Sequence, residues 1–169
     1  MPQGIVKPVS QIIASGKPLI VEMEVGAHAT PAKMLPGRLV IFDDTDWSVV
    51  EAGAKADNVV GFLDVAPDKK KADAFAVGDQ VKVVITDCVA LLTLLAAENV
   101  ARGDPLVSAA DGKVAKQAVG AMGGQGGVVG WALESSNVTV DAEILVHYHK
   151  NAEAAAGLSA NSDLGLFAD

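Results

Sequence analysis

Glycine and proline punctuate this chain densely and divide most of it into short segments rather than long helical ones. Positions 16, 18, 26, 31, 36, 37, 53, 61, 67, 78, 103, 105, 112, 120, 123, 124, 126, 127 and 130 are all Gly or Pro. Spacing of this kind leaves room for short strands joined by turns. The runs between the marks agree. Residues 19–25 (Leu-Ile-Val-Glu-Met-Glu-Val), 38–42 (Arg-Leu-Val-Ile-Phe), 80–85 (Gln-Val-Lys-Val-Val-Ile) and 138–146 (Val-Thr-Val-Asp-Ala-Glu-Ile-Leu-Val) alternate branched apolar side chains with others. That is the period of a half-buried strand. Asp111-Gly112, between Leu106-Val107 and Val114-Ala115, marks a hairpin, because both central positions of a type I′ turn need positive φ. The expected fold is mostly β, a compact β-barrel or β-sandwich.

Two segments read less plainly. Residues 10–15 (Ser-Gln-Ile-Ile-Ala-Ser) suit a short helical turn. Residues 88–101 have the Ala and Leu content of a helix, but their neighbours on both sides read as β, which favours a strand followed by a turn.

A weak internal repeat runs through the middle of the chain. Pro36-Gly37-Arg38-Leu39-Val40, then Val49-Val50, then Val59-Val60-Gly61-Phe62 is echoed by Arg102-Gly103-Asp104-Pro105-Leu106-Val107, then Val114, then Val128-Val129-Gly130-Trp131. Two related β units, over residues 36–66 and 102–134 of a β domain spanning 36–150, would together cover apolar faces that neither could cover alone. Residues 1–35 are proline-marked and read as an N-terminal arm with a first strand. Residues 151–169, rich in Ala, Ser, Gly, Asn and Asp, read as a flexible tail.

Half of the 169 residues are hydrophobic but only 4% are aromatic, and the formal charge is −8. Excess negative charge repels phosphate backbones and anionic lipid, so direct nucleic-acid binding is not expected. The longest apolar stretch, residues 88–97, is too short to span a bilayer, so no membrane partner is expected either. Residues 1–7 lack the pattern of an export signal. The single cysteine, Cys88, lies in an apolar run and reads as a small buried hydrophobe.

Sites for chemistry are few. His147 and His149 share one face of a strand at a spacing that can bind zinc or nickel, but a third ligand is missing nearby, so they are weak metal candidates. Residues 120–127 (Gly-Ala-Met-Gly-Gly-Gln-Gly-Gly) lack the Gly-Lys-Ser/Thr of a phosphate-binding loop and read as a surface loop that orders on assembly. Asp43, Asp44 and Asp46 lack the partners of an EF-hand and read as a solvated acidic turn. Residues 68–71 (Asp-Lys-Lys-Lys) read as a polar linker, and no acyl-transfer signature occurs. Trp47 and Trp131 read as core or interface anchors. No enzyme activity and no cofactor is expected.

The order Ala76-Val77-Gly78-Asp79-Gln80-Val81, an apolar strand, Ala97-Glu98-Asn99-Val100-Ala101-Arg102-Gly103-Asp104-Pro105-Leu106-Val107, the Asp111-Gly112-Lys113-Val114 turn and Gly127-Val128-Val129-Gly130-Trp131-Ala132-Leu133-Glu134 resembles the head-decoration or capsid-cement proteins of tailed bacteriophages and related viruses. The resemblance spans residues 75–149, about half of the chain. It implies a non-enzymatic β protein on the outer surface of an icosahedral shell in the virion, made in the host cytoplasm. Such a protein is commonly a homotrimer that cements the expanded shell by bridging subunits of the major capsid protein. In that family an N-terminal arm lies along the shell and adds a strand to it, a role that falls here to Gly4, Ile5, Val6, Lys7 and Val9. Trp47, Trp131 and the loop residues Gly124 and Gln125 are the corresponding candidates for oligomer contacts. The other readings are a viral tail or fibre component, a barrel-type carrier module for which Lys113 is a poor attachment point, and a small metal-binding β-barrel using His147 and His149.

Overall fold

A computed structural model describes residues 11–14, 18–56, 58–118 and 127–149 of the chain. They form thirteen strands. These are β1 (Ile12–Ala14), β2 (Ile20–Val25), β3 (Leu39–Phe42), β4 (Ser48–Glu51), β5 (Gly61–Leu63), β6 (Gln80–Val84), β7 (Cys88–Leu94), β8 (Asn99–Val100), β9 (Pro105–Ser108), β10 (Val114–Lys116), β11 (Val128–Ala132), β12 (Ser136–Asn137) and β13 (Ala142–Tyr148). The only helical pieces among the described residues are single 3-10 turns at Pro31–Lys33 and Ala110–Gly112. None is long or apolar enough to cross a membrane.

The strands close into two barrels. The first runs β2-β4-β3-β5-β6, and β6 returns to β2 through a five-pair antiparallel ladder from Ile20↔Val84 to Glu24↔Gln80. The second runs β7-β10-β9-β11-β13 and is closed by seven pairs between β13 and β7, from Ala142↔Leu94 to Tyr148↔Cys88. Connectivity is the same in both. The first strand of each barrel pairs in parallel with the third, and every other contact is antiparallel. Closure leaves each barrel without a long open edge, the standing hazard of an all-β chain.

The equivalence extends to single residues. Gly61 of β5 and Gly130 of β11 occupy matching places, and a Cβ on either would strike a backbone carbonyl of the neighbouring closing strand, Val84 in one barrel and His147 in the other. Bare backbone at these positions lets the strands approach closely.

Period-two burial builds both cores. In β7, Cys88, Ala90, Leu92 and Leu94 point inward while Val89, Leu91 and Thr93 are half-exposed. In β13 the inward set is Ile144, Val146 and Tyr148. Met23, Val25, Met34, Val40, Val49, Leu63, Phe75, Val81 and Val83 fill the first barrel. A second core runs across the junction, where Leu39, Ala52, Phe62 and Val84 of the first barrel join Leu92, Leu94, Val114 and Tyr148 of the second. The junction is also polar. The Thr93 amide donates to the Gly37 carbonyl at 3.0 Å, the Gly112 amide to Ala52 at 2.8 Å and the Lys55 amide to Ser108 at 2.8 Å.

Three local readings change. Residues 12–14 are strand β1, not a helical turn, because they pair antiparallel with Val89 and Ala90 of β7. Residues 138–141 are not part of the last strand. Ser136 and Asn137 pair instead with β8, and the Asp141 carboxylate accepts the Ala96 amide at 3.1 Å, which displaces the start of β13 to Ala142. Residues 88–101 hold a strand, a turn with Ala97 at φ +65°, and a second short strand. Asp111 and Gly112 take φ +61° and +69°, as the type I′ turn requires, and the Lys113 amide closes that turn on the Ala110 carbonyl at 3.3 Å.

Candidate functional site

Residues 43–47 connect β3 to β4 and carry a concentration of chemistry on the first barrel. The hairpin closes with the Asp43 amide donating to Ser48 O at 2.9 Å, and inside it Ser48 N donates to Thr45 O at 3.2 Å. Ser48 Oγ donates to the same carbonyl at 2.6 Å. Trp47 is the third residue of the Thr45–Ser48 turn and sits at φ +61°. A left-handed conformation at that place favours glycine, so a bulky side chain is held there against its backbone preference. Its carbonyl accepts the Glu24 amide at 2.9 Å, which ties the loop to β2.

Trp47 is 66% exposed and Phe42, at the end of β3, is 55% exposed. Together with Asp43, Thr45 and Asp46 they line a surface pocket of 310 Å³. The reading of Trp47 as a core anchor is therefore corrected, since its place in an outward turn keeps the ring in solvent.

The reading of residues 43–46 as a solvated acidic turn is corrected at Asp43, whereas Asp44 and Asp46 are exposed. The Asp43 side chain is only 4% exposed. Its Oδ1 accepts the Asp44 amide at 2.8 Å and lies 2.8 Å from His28 Nδ1, while its Oδ2 accepts the His28 amide at 3.3 Å. The Asp44 amide, with help from His28, holds this carboxyl below the usual carboxylate range. The hydrogen bond that the His28 ring makes to the Asp43 carboxylate, with the negative charges of Asp43 and Asp44, pushes the His28 imidazole above its usual value. Gly26 makes room for this, because a Cβ there would collide with the Asp43 carboxylate. His28, Asp43 and Asp44 thus present three potential ligand atoms within 4.8 Å of one another. Nothing in the sequence linked residue 28 to residue 43, because only the closing of the barrel brings β2's exit beside the β3–β4 hairpin.

The other candidates are scattered. His147 of β13 and His149, one residue beyond its end, lie close together, with ring centroids 6.4 Å apart and Trp131 beside both, at 6.4 Å and 6.0 Å. His149 Nδ1 pairs with Asp87 at 3.0 Å. Trp131 is half-buried against Val107 and Val128 on the outside of the second barrel. Cys88 is buried, and loss of solvation, then Asp87 and Asp64, push its thiol up to about 11, consistent with an inert core residue. Lys113, the weak carrier candidate, pairs with Asp141 at 2.9 Å. Lys69 of the polar linker pairs with Asp79 at 2.8 Å. Gly4, Ile5, Val6, Lys7, Val9, Gly124 and Gln125 lie outside the described residues.

No protein-family model matches the sequence, and no curated protein matches it. Among solved structures the chain is similar to the N base of the head fibre of bacteriophage phi29, with 17% identity and a TM-score of 0.45 over 76% of this chain and 94% of that one.

Proposed function

We propose that this is a non-enzymatic structural protein of a tailed-phage virion, which binds the outer surface of the icosahedral capsid and stabilises the expanded shell by bridging subunits of the major capsid protein. The observation that carries this reading is the placement of the residues that resemble capsid-cement proteins. Residues 88–148 contain one closed barrel, and the turns of the resembling stretch have the backbone conformations their motifs call for, with φ of +85° at Gly78, +90° at Gly103, +61° at Asp111 and +69° at Gly112.

The physics of the role suits the fold. A closed barrel fused to a second one through a shared core is a stiff body, and stiffness lowers the ordering cost of docking on a lattice. Binding the expanded shell and not its precursor stabilises the expanded state by mass action, and repeated sites make modest affinities add. The assembly we propose is a homotrimer on the shell, with the N-terminal arm, residues Gly4 to Val9, as the segment that pairs with the capsid.

Co-sedimentation with expanded, DNA-free capsids of the virus that encodes the protein tests this. Saturable binding at a fixed ratio to capsid subunits is expected, with loss of binding when residues 1–10 are removed. That deletion is preferable to a longer one because β1 pairs with β7 of the second barrel and β2 is a strand of the first. Absence of saturable binding by the full chain overturns the capsid assignment and leaves a tail or fibre component as the structural reading.

A further inference from the structure

The pocket at the β3–β4 hairpin is independent of the capsid reading and has a chemistry of its own. Its lining is two aromatic side chains, two carboxylates and a threonine, with no lysine or arginine. Both rings are more than half exposed. The Asp46 carboxylate has no hydrogen-bond or ion-pair partner among the described residues, whereas Asp43 is fully engaged with His28 and the Asp44 amide. Asp44 stands beside them, 3.9 Å from His28. The volume of 310 Å³ is at the lower end of the range for small-ligand sites.

From this arrangement we infer that the pocket binds an alkylammonium cation, either a small quaternary ammonium compound or the basic side chain of a lysine from another protein. The faces of Trp and Phe carry negative potential that attracts organic cations. Asp46 adds a carboxylate with no partner among the described residues, while Asp43 is paired with the His28 ring, so a cation gains from the rings and Asp46 together. A compact methylated ammonium suits such a site better than a hydrated metal ion, because it has apolar surface to place against the rings. Trp47 strengthens the inference. It keeps a large ring in solvent from a turn position where glycine would be relaxed, and the turn is pinned by the bonds from Ser48 and Glu24. A locked backbone presenting a strained, exposed aromatic ring is the pattern of a pre-organised contact.

Titration of the full chain with choline, followed by tryptophan fluorescence and by calorimetry, tests it, with 3,3-dimethylbutan-1-ol as the neutral analogue of the same shape and sodium chloride as the ionic-strength control. Saturable choline binding is expected, weaker or absent with the alcohol and absent with the salt. Trp47→Ala is expected to weaken binding by about tenfold or more, and Asp46→Asn to weaken it by a few-fold. Val140→Ala, an exposed apolar change away from the pocket, leaves binding unchanged. A lysine-bearing peptide and its acetylated form separate the two sources of the cation. Equal binding of choline and the alcohol, or full choline affinity in folded Trp47→Ala, overturns the inference. So does failure of choline and the unmodified peptide alike to bind the unmodified chain.

Discussion

Phe62 of the first barrel meets Tyr148 of the second edge-on, with ring centroids 5.1 Å apart and planes at 78°. Both side chains are fully buried, and together they form the aromatic centre of the core shared by the barrels. Edge-to-face packing sets the positive rim of one ring against the negative face of the other and adds about 0.5–1.5 kcal/mol to the burial itself. The contact joins the two barrels in one core.

Phe62→Ala is expected to cost about 3–5 kcal/mol, because it removes a whole ring from a packed junction that spans both barrels. A single unfolding transition should persist at a lower midpoint in calorimetry. Two separated transitions would show that the shared core does not couple the barrels.

Tyr148→Phe is expected to act in the opposite sense. The Tyr148 hydroxyl is buried and has no hydrogen-bond partner among the described residues, and loss of solvation pushes its ionisation well above the usual range. Removing it lifts the cost of a buried unsatisfied group, so stability should rise by about 1 kcal/mol in denaturant unfolding. A clear loss would mean that the hydroxyl has a partner in solution.

The glycine pair offers a test of the barrel equivalence. Gly61→Ala and Gly130→Ala should each destabilise by about 1–3 kcal/mol, because the new Cβ meets a backbone carbonyl that cannot move aside cheaply. Gly53→Ala, where open space surrounds the added methyl, should stay within about 0.5 kcal/mol. Comparable denaturation midpoints for all three variants would contradict the close approach.

His28 should give the protein a pH-dependent stability component. Its folded pKa is raised above 6.5 by Asp43 and Asp44, so the stabilisation is fully present below the unfolded value and disappears as pH rises through the folded one. Stability therefore falls as pH rises from about 6.5 through the folded value, and His28→Gln flattens that part of the profile. Proton NMR of the ring provides the direct check, since a midpoint at or below 6.5, the ordinary imidazole value, would remove the basis for the effect.

Arg38 is expected to be needed at the junction. Its Nη1 donates to the Asp111 carbonyl at 2.7 Å, and its Nη2 lies 3.8 Å from Asp141. Arg38→Ala should cost about 1.5–3 kcal/mol, the range for a hydrogen bond from a charged donor. Arg38→Lys should recover only part of this, because an ammonium lacks the planar fork that reaches both groups. Thermal unfolding of the two variants side by side measures the difference.

Much of the local structure was legible because strands and turns are written in short-range chemistry. The alternation in residues 19–25 and 80–85 marked β2 and β6, Asp111-Gly112 marked its hairpin, and the apolar surroundings of Cys88 marked a buried thiol. The similarity of Val59-Val60-Gly61-Phe62 to Val128-Val129-Gly130-Trp131 lay in the sequence too, and these segments occupy matching strands of the two barrels. Misreadings arose where a distant partner decided the outcome. Residues 12–14 have no strong strand pattern and become β1 only because β7 offers an edge, and residues 138–141 fall outside the last strand, which starts at Ala142 after Ser136 and Asn137 pair with β8.

The candidate site lay beyond the reach of pattern reading for the same reason. Asp43, Asp44 and Asp46 looked like one solvated turn, since a run of carboxylates contains no record of which one will face inward. The sequence by itself determined a β protein of short strands, because Gly and Pro spacing limits what the backbone can do within a few residues. Only the tertiary structure decided that His28 would meet Asp43 across fifteen residues, that Gly26 would clear the space between them, and that Trp47 and Phe42 would flank a pocket. Those relationships depend on how the barrel closes, and closure is set by long-range pairing that no local pattern encodes.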